Sequence, residues 1–200
     1  MALRRVFTDA NVLWSPQQRN LILQIAFEDH IAVHWTDEVI REWLRNIDDA
    51  QRAKSEKGTL PLMARLFPTA LIGAGADRPI GRTEAKDRHV ALAAASIAPS
   101  ALLTWNLRDF DREALRALTV DLLTPDELLA ALFDETPELI FEIAKAAQQN
   151  LTRSAPTWDA YLAVLERNRL NRFVARLRSG PVSARAGKAS ATNPDTSCLG

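Results

Sequence analysis

The chain has 200 residues, 47% hydrophobic and 25% charged, with 25 basic side chains balancing 25 acidic ones. That length and apolar content suit one domain of ordinary size with an appendage, able to bury a sizeable core. A membrane-spanning helix is excluded, because no apolar run nears the roughly 18 uncharged residues it needs, and so is a disulfide scaffold, because Cys198 is the sole cysteine.

The N-terminal MALRRVFTDANVL has only a short apolar stretch before an aspartate, which does not suit a signal peptide and gives a cytoplasmic location as the expectation. The balanced charge hides an asymmetry. Residues 151–200 hold eight Arg/Lys against three Asp/Glu, a balance of +5, so residues 1–150 carry −5. Such asymmetry suits a nuclease, with acids gathering metal and basic groups meeting phosphate. It is equally that of an arginine-rich tail.

Strand and helix alternate along the chain. Residues 4–8 (RRVFT) form a β-rich run. Ser15, Pro16 and Gln18 then supply an N-cap, a first-turn proline and an N3 amide, starting a helix to about residue 28 with Leu21, Ile22, Ile25 and Ala26 on one face. Residues 31–35 form a second strand. Thr36 caps the next helix, Asp37 and Glu38 lie in its first turn, and Ile40, Trp43, Leu44 and Ile47 make its apolar stripe. Residues 48–60 are polar, a helix surrounds 62–66, and 70–72 is a short edge strand. A loop over 73–83 leads into an alanine-rich helix at 84–97, ended by Pro99. Residues 101–105 are a further strand, 106–110 turn into a short helix, and 119–123 are the last strand. Thr124, Pro125 and Glu127 form a helix start with a capping box.

This alternation predicts a parallel sheet covered by helices on both faces. After about residue 134 it stops. Helices opening at Thr136 and Thr157, and a helical period over 170–177, predict a small helical extension. The expected division is a domain over 1–133, the extension over 134–179 and a disordered tail over 180–200.

Four acidic residues stand out, each with a plain reading beside the chemical one. Asp9 directly follows the first strand, where open parallel sheets bind ligands, but an aspartate there also makes a turn or a helix cap. Glu42 sits among Ile40, Trp43 and Leu44, and reads equally as a solvated helix edge. Asp87 opens the alanine-rich helix, where the dipole favours negative charge anyway. Asp109 follows a strand and also suits a polar turn. Together they have a shared rationale. Magnesium is a hard cation held by a few carboxylates and several waters, and carboxylates converging at one sheet end repel one another unless a cation lies between them. Such a cation supports phosphodiester hydrolysis without a histidine or serine nucleophile.

The blocks TDANVL at 8–13, WTDEVIREWLRN at 35–46, KDRHVALAAA at 86–95 and LLTWNLRDF at 102–110, in that order, resemble the PIN-domain family, and most closely its VapC-type toxins. The resemblance spans roughly residues 4–130. It implies a three-layer α/β/α fold with a mainly parallel five-stranded sheet, and Mg²⁺- or Mn²⁺-dependent endoribonuclease cleavage of single-stranded RNA that leaves a 5′-phosphate. By position it makes Asp9, Glu42, Asp87 and Asp109 the metal-binding catalytic acids, Asn11 a support for Asp9, and Thr104 a polar neighbour. Asn106 stands where many PIN domains keep an aspartate; its amide oxygen can reach a metal but brings no charge. Residues 161–178 resemble the helical extension of some VapC-like proteins. The resemblance further implies a homodimer, and a cognate antitoxin that covers the acidic site. A PIN nuclease of RNA processing without an antitoxin, and a non-catalytic RNA- or protein-binding PIN module, are the alternatives.

His30, His34 and His89 form no zinc pattern, though His89 is a candidate substrate contact. Trp105 suits either base stacking or core packing. Arg108, beside Asp109, suits either phosphate binding or a surface role.

Overall fold

The computed structural model describes residues 4–73, 75, 77–151 and 157–181. Its centre is a four-stranded, wholly parallel sheet of β1 (Arg4–Thr8), β2 (Ile31–His34), β3 (Ser100–Leu103) and β4 (Val120–Leu123), ordered β2-β1-β3-β4. The chain steps from β1 outward to β2, then crosses back to place β3 on the other side of β1. The carboxyl ends of β1 and β3 therefore form the switch point where open α/β sheets bind ligands.

The expected fifth strand is corrected to a single parallel bridge between Trp35 and Leu71. Trp35 N–H donates to Ala70 O and Ile72 N–H to Trp35 O, both at 2.9 Å. The pairing stops there because β2 has ended and Thr36 already caps the next helix.

Helices carry the chain between strands. Asp9 and Ser15 cap α1 (Ala10–Leu13) and α2 (Pro16–Phe27), and Ser15 Oγ accepts from Gln18 N–H at 3.2 Å. Thr36 caps α3 (Asp37–Arg45), whose Val39 and Trp43 are buried while Ile40 and Leu44, and Ile47 just beyond its end, are half-buried. Residues 48–66 are more helical than their polarity suggested. Asp48 caps α4 (Asp49–Lys54), a π turn over Ser55–Thr59 widens the backbone, and Leu60–Leu66 follows as α5. Pro61, lacking an N–H, tolerates the first turn of α5. A 3₁₀ turn (Ala85–Asp87) opens α6 (Arg88–Ser96), and a second (Leu107–Asp109) precedes α7 (Arg112–Ala117).

Val6 and Phe7 of β1 are fully buried and all four residues of β3 are buried, so the two central strands are covered on both faces. The edge strands alternate instead, with Asp121 of β4 exposed.

The C-terminal part is helical, as its pattern predicts. It comprises α8 (Pro125–Glu135), begun by the Thr124/Glu127 capping box, α9 (Pro137–Gln149), α10 (Trp158–Arg167) and α11 (Asn171–Ser179). Helix α9 packs on α2 and α8, and α11 packs on α8. Phe173 meets Phe133 edge to face at 6.4 Å. Asp126 of α8 accepts the N–H groups of Arg172 and Phe173 at 3.1 and 3.0 Å, capping a helix whose own N-cap, Leu170, has no side chain for the task. Among the described residues no helix is long and apolar enough to cross a membrane. The tail expected to be disordered lies, from residue 182 on and including Cys198, outside the described residues.

Candidate functional site

The register of the central strands pairs Thr8 with Leu103, so the residues that follow, Asp9 and Thr104, emerge side by side at the switch point. Asp9 N–H donates to Leu103 O at 3.0 Å and ties the two exits together. Asp9 is 6% exposed, yet every oxygen of its carboxylate is engaged. Oδ1 accepts from Ala10 N–H at 2.6 Å, and Oδ2 accepts from Asn11 Nδ2 and Thr104 Oγ1, each at 2.6 Å. The helix cap and the engaged acid are thus the same residue, one oxygen serving each.

Thr104 Oγ1 is a small hub. It donates to Asp9 and accepts from Asn11 Nδ2 and Asn106 N–H, both at 3.0 Å. The Asn11 amide oxygen accepts from Trp105 N–H at 3.0 Å, and the Trp105 indole N–H donates to Gln18 Oε1 at 3.2 Å. A hydrogen-bonded chain therefore runs from Asp9 into α2.

Glu42 approaches from α3, which packs against α1. Its neighbour Trp43 is fully buried, with the Arg19 guanidinium 4.5 Å from its ring centroid. Arg19 also donates to Leu13 O, and burial pushes its pKa down to about 10. This packing fixes the rotation of α3 and leaves Glu42 half-buried on the flank toward Asp9.

Asp87 and Asp109 come from turns stitched to each other. Glu84 N–H donates to Asp109 O at 3.2 Å, Asp111 N–H to Thr83 Oγ1 at 3.1 Å, and Arg82 N–H to Asp111 Oδ2 at 2.9 Å. Gly81 makes the approach feasible: its φ is +48°, and a Cβ there would strike the Asp111 carboxylate. Asp87 occupies the N-cap position of α6 but makes no capping bond with its side chain. Its Oδ2 is buried without a hydrogen-bond partner, 4.0 Å from Lys86 Nζ.

The electrostatics join these acids. Burial raises the Asp9 pKa; the Thr104 hydrogen bond draws it back, and the charge of Glu42 raises it again. Burial pushes Asp87 up to about 6, opposed by Lys86 and assisted by the charges of Asp109 and Asp9. His89, half-buried on α6, lowers the Asp9 pKa and stands 4.0 Å from Glu38. Its Nδ1 contacts Lys86 O at 2.8 Å, and its Nε2 is buried without a hydrogen-bond partner.

Asn106 and Arg108 are exposed, and their side chains form no hydrogen bond or ion pair with the described residues. His34 closes β2, and burial lowers its pKa. Trp105 is half-buried, neither a fully packed core residue nor an open stacking platform.

Among the described residues no three Asp, Glu, His or Cys side chains converge closely enough to cage a metal ion. Octahedral Mg²⁺ does not require a cage, since it usually keeps several waters and takes one or two carboxylates directly. The groups on offer are hard oxygen donors, and the orphaned Asp87 Oδ2 is an atom that a cation would satisfy. The donor set fits such an ion.

Residues 125–179 match the family model of the VapC50 C-terminal domain. The match covers 55 of 200 residues, takes in α8 to α11, and leaves the sheet and its acids outside. No curated protein and no solved structure matches the chain.

The matched stretch reaches the site through a residue that sequence reasoning missed. Arg169, in the turn between α10 and α11, lays its guanidinium 4.5 Å from the Trp105 ring centroid. An arginine in a helical linker carries no local signal for this contact. Gln18 was also missed; within α2 it read simply as an N3 amide.

Proposed function

We propose that this chain is an endoribonuclease of the VapC type that cuts single-stranded RNA with Mg²⁺ or Mn²⁺. The observation that carries the reading is the like charge that Asp9 meets from Glu42, and Asp87 from Asp109 and Asp9, at the switch point of a parallel sheet. The VapC50 C-terminal-domain match supports it from an independent part of the chain. Carboxylates gathered in this way repel one another at a cost in stability, and a bound cation removes that cost.

Asp9, Asp87, Asp109 and Glu42 would hold the metal, which when bound supplies a more acidic water and neutralises charge on the scissile phosphate. The chain's own part is to prepare Asp9. Asn11 and Thr104 aim two donors at Oδ2, which favours the ionised form against burial and fixes the carboxylate's direction. Trp105, held by Asn11 and Gln18, keeps that pair of donors in place. Exposed Asn106 and Arg108 border the site, where Arg108 offers a guanidinium to phosphate.

In this reading the chain is the toxin of a toxin–antitoxin pair. It acts in the cytoplasm as a homodimer and is inhibited by a cognate antitoxin over the acids. The test is cleavage of single-stranded RNA with Mg²⁺ by the wild type and by Asp9→Asn, with folding checked by circular dichroism. Loss of cleavage in a folded variant is expected; undiminished cleavage defeats the proposal. Expression of the wild type, but not of Asp9→Asn, should arrest growth if the toxin assignment holds. A second reading, a binding module without catalysis, draws on the absence of a preformed three-ligand cage among the described residues. RNA binding by a wild type that never cleaves would favour it.

A further inference from the structure

Helix α3, which carries Glu42, also borders a concavity of different character. Arg41, Leu44 and Arg45 of α3 and Arg52 of α4 line a hollow of about 310 Å³. Three guanidinium groups surround one half-buried leucine, and among the described residues the only carboxylate paired with any of them is Asp49, 3.5 Å from Arg52 NH1 and itself 96% exposed. Arg52 is held in place by its Nε bond to Leu44 O at 2.9 Å. The Nε of Arg41 is spent on Asp37 O at 3.3 Å, which leaves its two terminal nitrogens without a partner among the described residues. Arg45 forms no side-chain hydrogen bond or ion pair with the described residues. Arg52 is thus anchored at the rim, while Arg45 keeps all its donors, and Arg41 its terminal nitrogens, uncommitted among the described residues around a common space.

The position matters as much as the charge. Arg45 and Glu42 share α3, and at ~100° per residue Arg45 lies about 60° round the helix from Glu42. The hollow therefore lies one helical turn from Glu42, within reach of an extended strand that leaves Glu42 on that flank. A guanidinium's planar fork matches phosphate oxygens, whereas the neighbouring acids repel phosphate unless a cation intervenes.

We propose that Arg41, Arg45 and Arg52 form a phosphate-binding pocket that grips the backbone of single-stranded RNA alongside Glu42. The inference rests on the reading of the acidic site as an RNA-cleaving centre, and adds where the strand runs. The contacts are to phosphate, so the pocket contributes affinity and register and reads no base.

The test is binding of fluorescein-labelled oligouridylate RNA in EDTA, followed by anisotropy across a salt series, so that cleavage plays no part. Arg45→Gln should weaken binding roughly threefold to tenfold, and Arg41→Gln/Arg45→Gln further, with the slope of log K against log salt shallower by about 1.4 for two lost contacts. Arg116→Gln on α7, exposed and also without a side-chain partner among the described residues, is the control for charge alone and should stay within about twofold. Equal losses in Arg116→Gln and Arg45→Gln, wild-type affinity in the double variant, or no binding by the wild type would each overturn the pocket. So would a double variant that keeps RNA affinity but loses polyglutamate binding, which would assign the hollow to an acidic protein segment. If the arginine dependence holds and Mg²⁺-dependent cleavage is absent, the pocket stands and the nuclease reading fails.

Discussion

The guanidinium of Arg169 stacks on Trp105, 4.5 Å from its ring centroid, and so joins the C-terminal helices to the residue that follows Thr104. Arg169 does this from a left-handed backbone, φ +67°, at the position where a helix usually ends in glycine. Arg169 N–H donates to Glu166 O and Leu170 N–H to Leu165 O, closing α10 with the paired bonds of that ending.

The side chain and the backbone of Arg169 should separate by substitution. Arg169→Ala loses the cation–π stack and keeps the backbone strain, so it should destabilise by about 1–2 kcal/mol. Arg169→Gly loses the same stack but relieves the strain by roughly 1 kcal/mol, leaving it close to wild type. Urea midpoints check both. Equal stabilities for the two variants would remove the backbone component, and a wild-type midpoint for Arg169→Ala would remove the stack.

Asp87 sets a pH dependence of unusual sign in metal-free buffer. Its folded pKa of about 6 lies above the ordinary 3.8, so between those values the folded chain holds a proton that the unfolded chain has released. Stability should therefore fall as pH rises from about 4 to about 6, with Asp9 acting in the same direction. Asp87→Asn should be more stable than wild type at pH 7, with the difference shrinking as pH falls and gone at about pH 3, below the unfolded pKa. Thermal melts across this range would read the difference, and a variant less stable at pH 7 would contradict it.

Gly81 should not tolerate a side chain. Its positive φ disfavours alanine, and the new Cβ would meet Ala114 Cβ at 2.8 Å as well as the Asp111 carboxylate, which caps α7. Gly81→Ala should cost about 1–3 kcal/mol. It should also loosen the seam between residues 80–84 and 109–111, visible as faster amide exchange at Arg82 and Asp111. Unaltered exchange and stability would mean that the seam adapts freely.

Asp126 should matter more than a first-turn aspartate normally does, because it caps a second helix 46 residues away. Asp126→Ala leaves two N–H groups of α11 without their acceptor and should cost about 1–2 kcal/mol, with Asp126→Asn milder. Faster exchange of the Arg172 and Phe173 amides would mark the cause. Protection equal to wild type would place the cap elsewhere.

Much of the scaffold was legible in the chain, for local reasons. The helix starts at Ser15, Thr36, Thr124 and Thr157 are written in capping side chains that bond within three residues, and each is found in the structure. The strands at 4–8, 31–34, 100–103 and 120–123 follow from β-rich runs between such starts. The fifth strand failed because pairing is a property of two segments, and 70–72 meets β2 only where β2 has ended. The helical course of 48–66 was obscured by polarity, since a solvent-facing helix has little apolar period to display.

The same division holds at the site. Sequence alone determined that Asp9 follows a strand, because strand ends are local; it kept Thr104 inside a strand over 101–105, whereas β3 ends at Leu103 and Thr104 follows it. It also picked out Glu42, Asp87 and Asp109 through family resemblance. Only the tertiary structure decided that Thr8 registers with Leu103, so that Asn11 and Thr104 both reach Asp9 Oδ2. It alone turned Asp109 toward the Asp87 turn through Glu84, and laid Arg169 on Trp105. These contacts join residues dozens of positions apart, and their energies depend on burial and distance, neither of which any short stretch of chain contains.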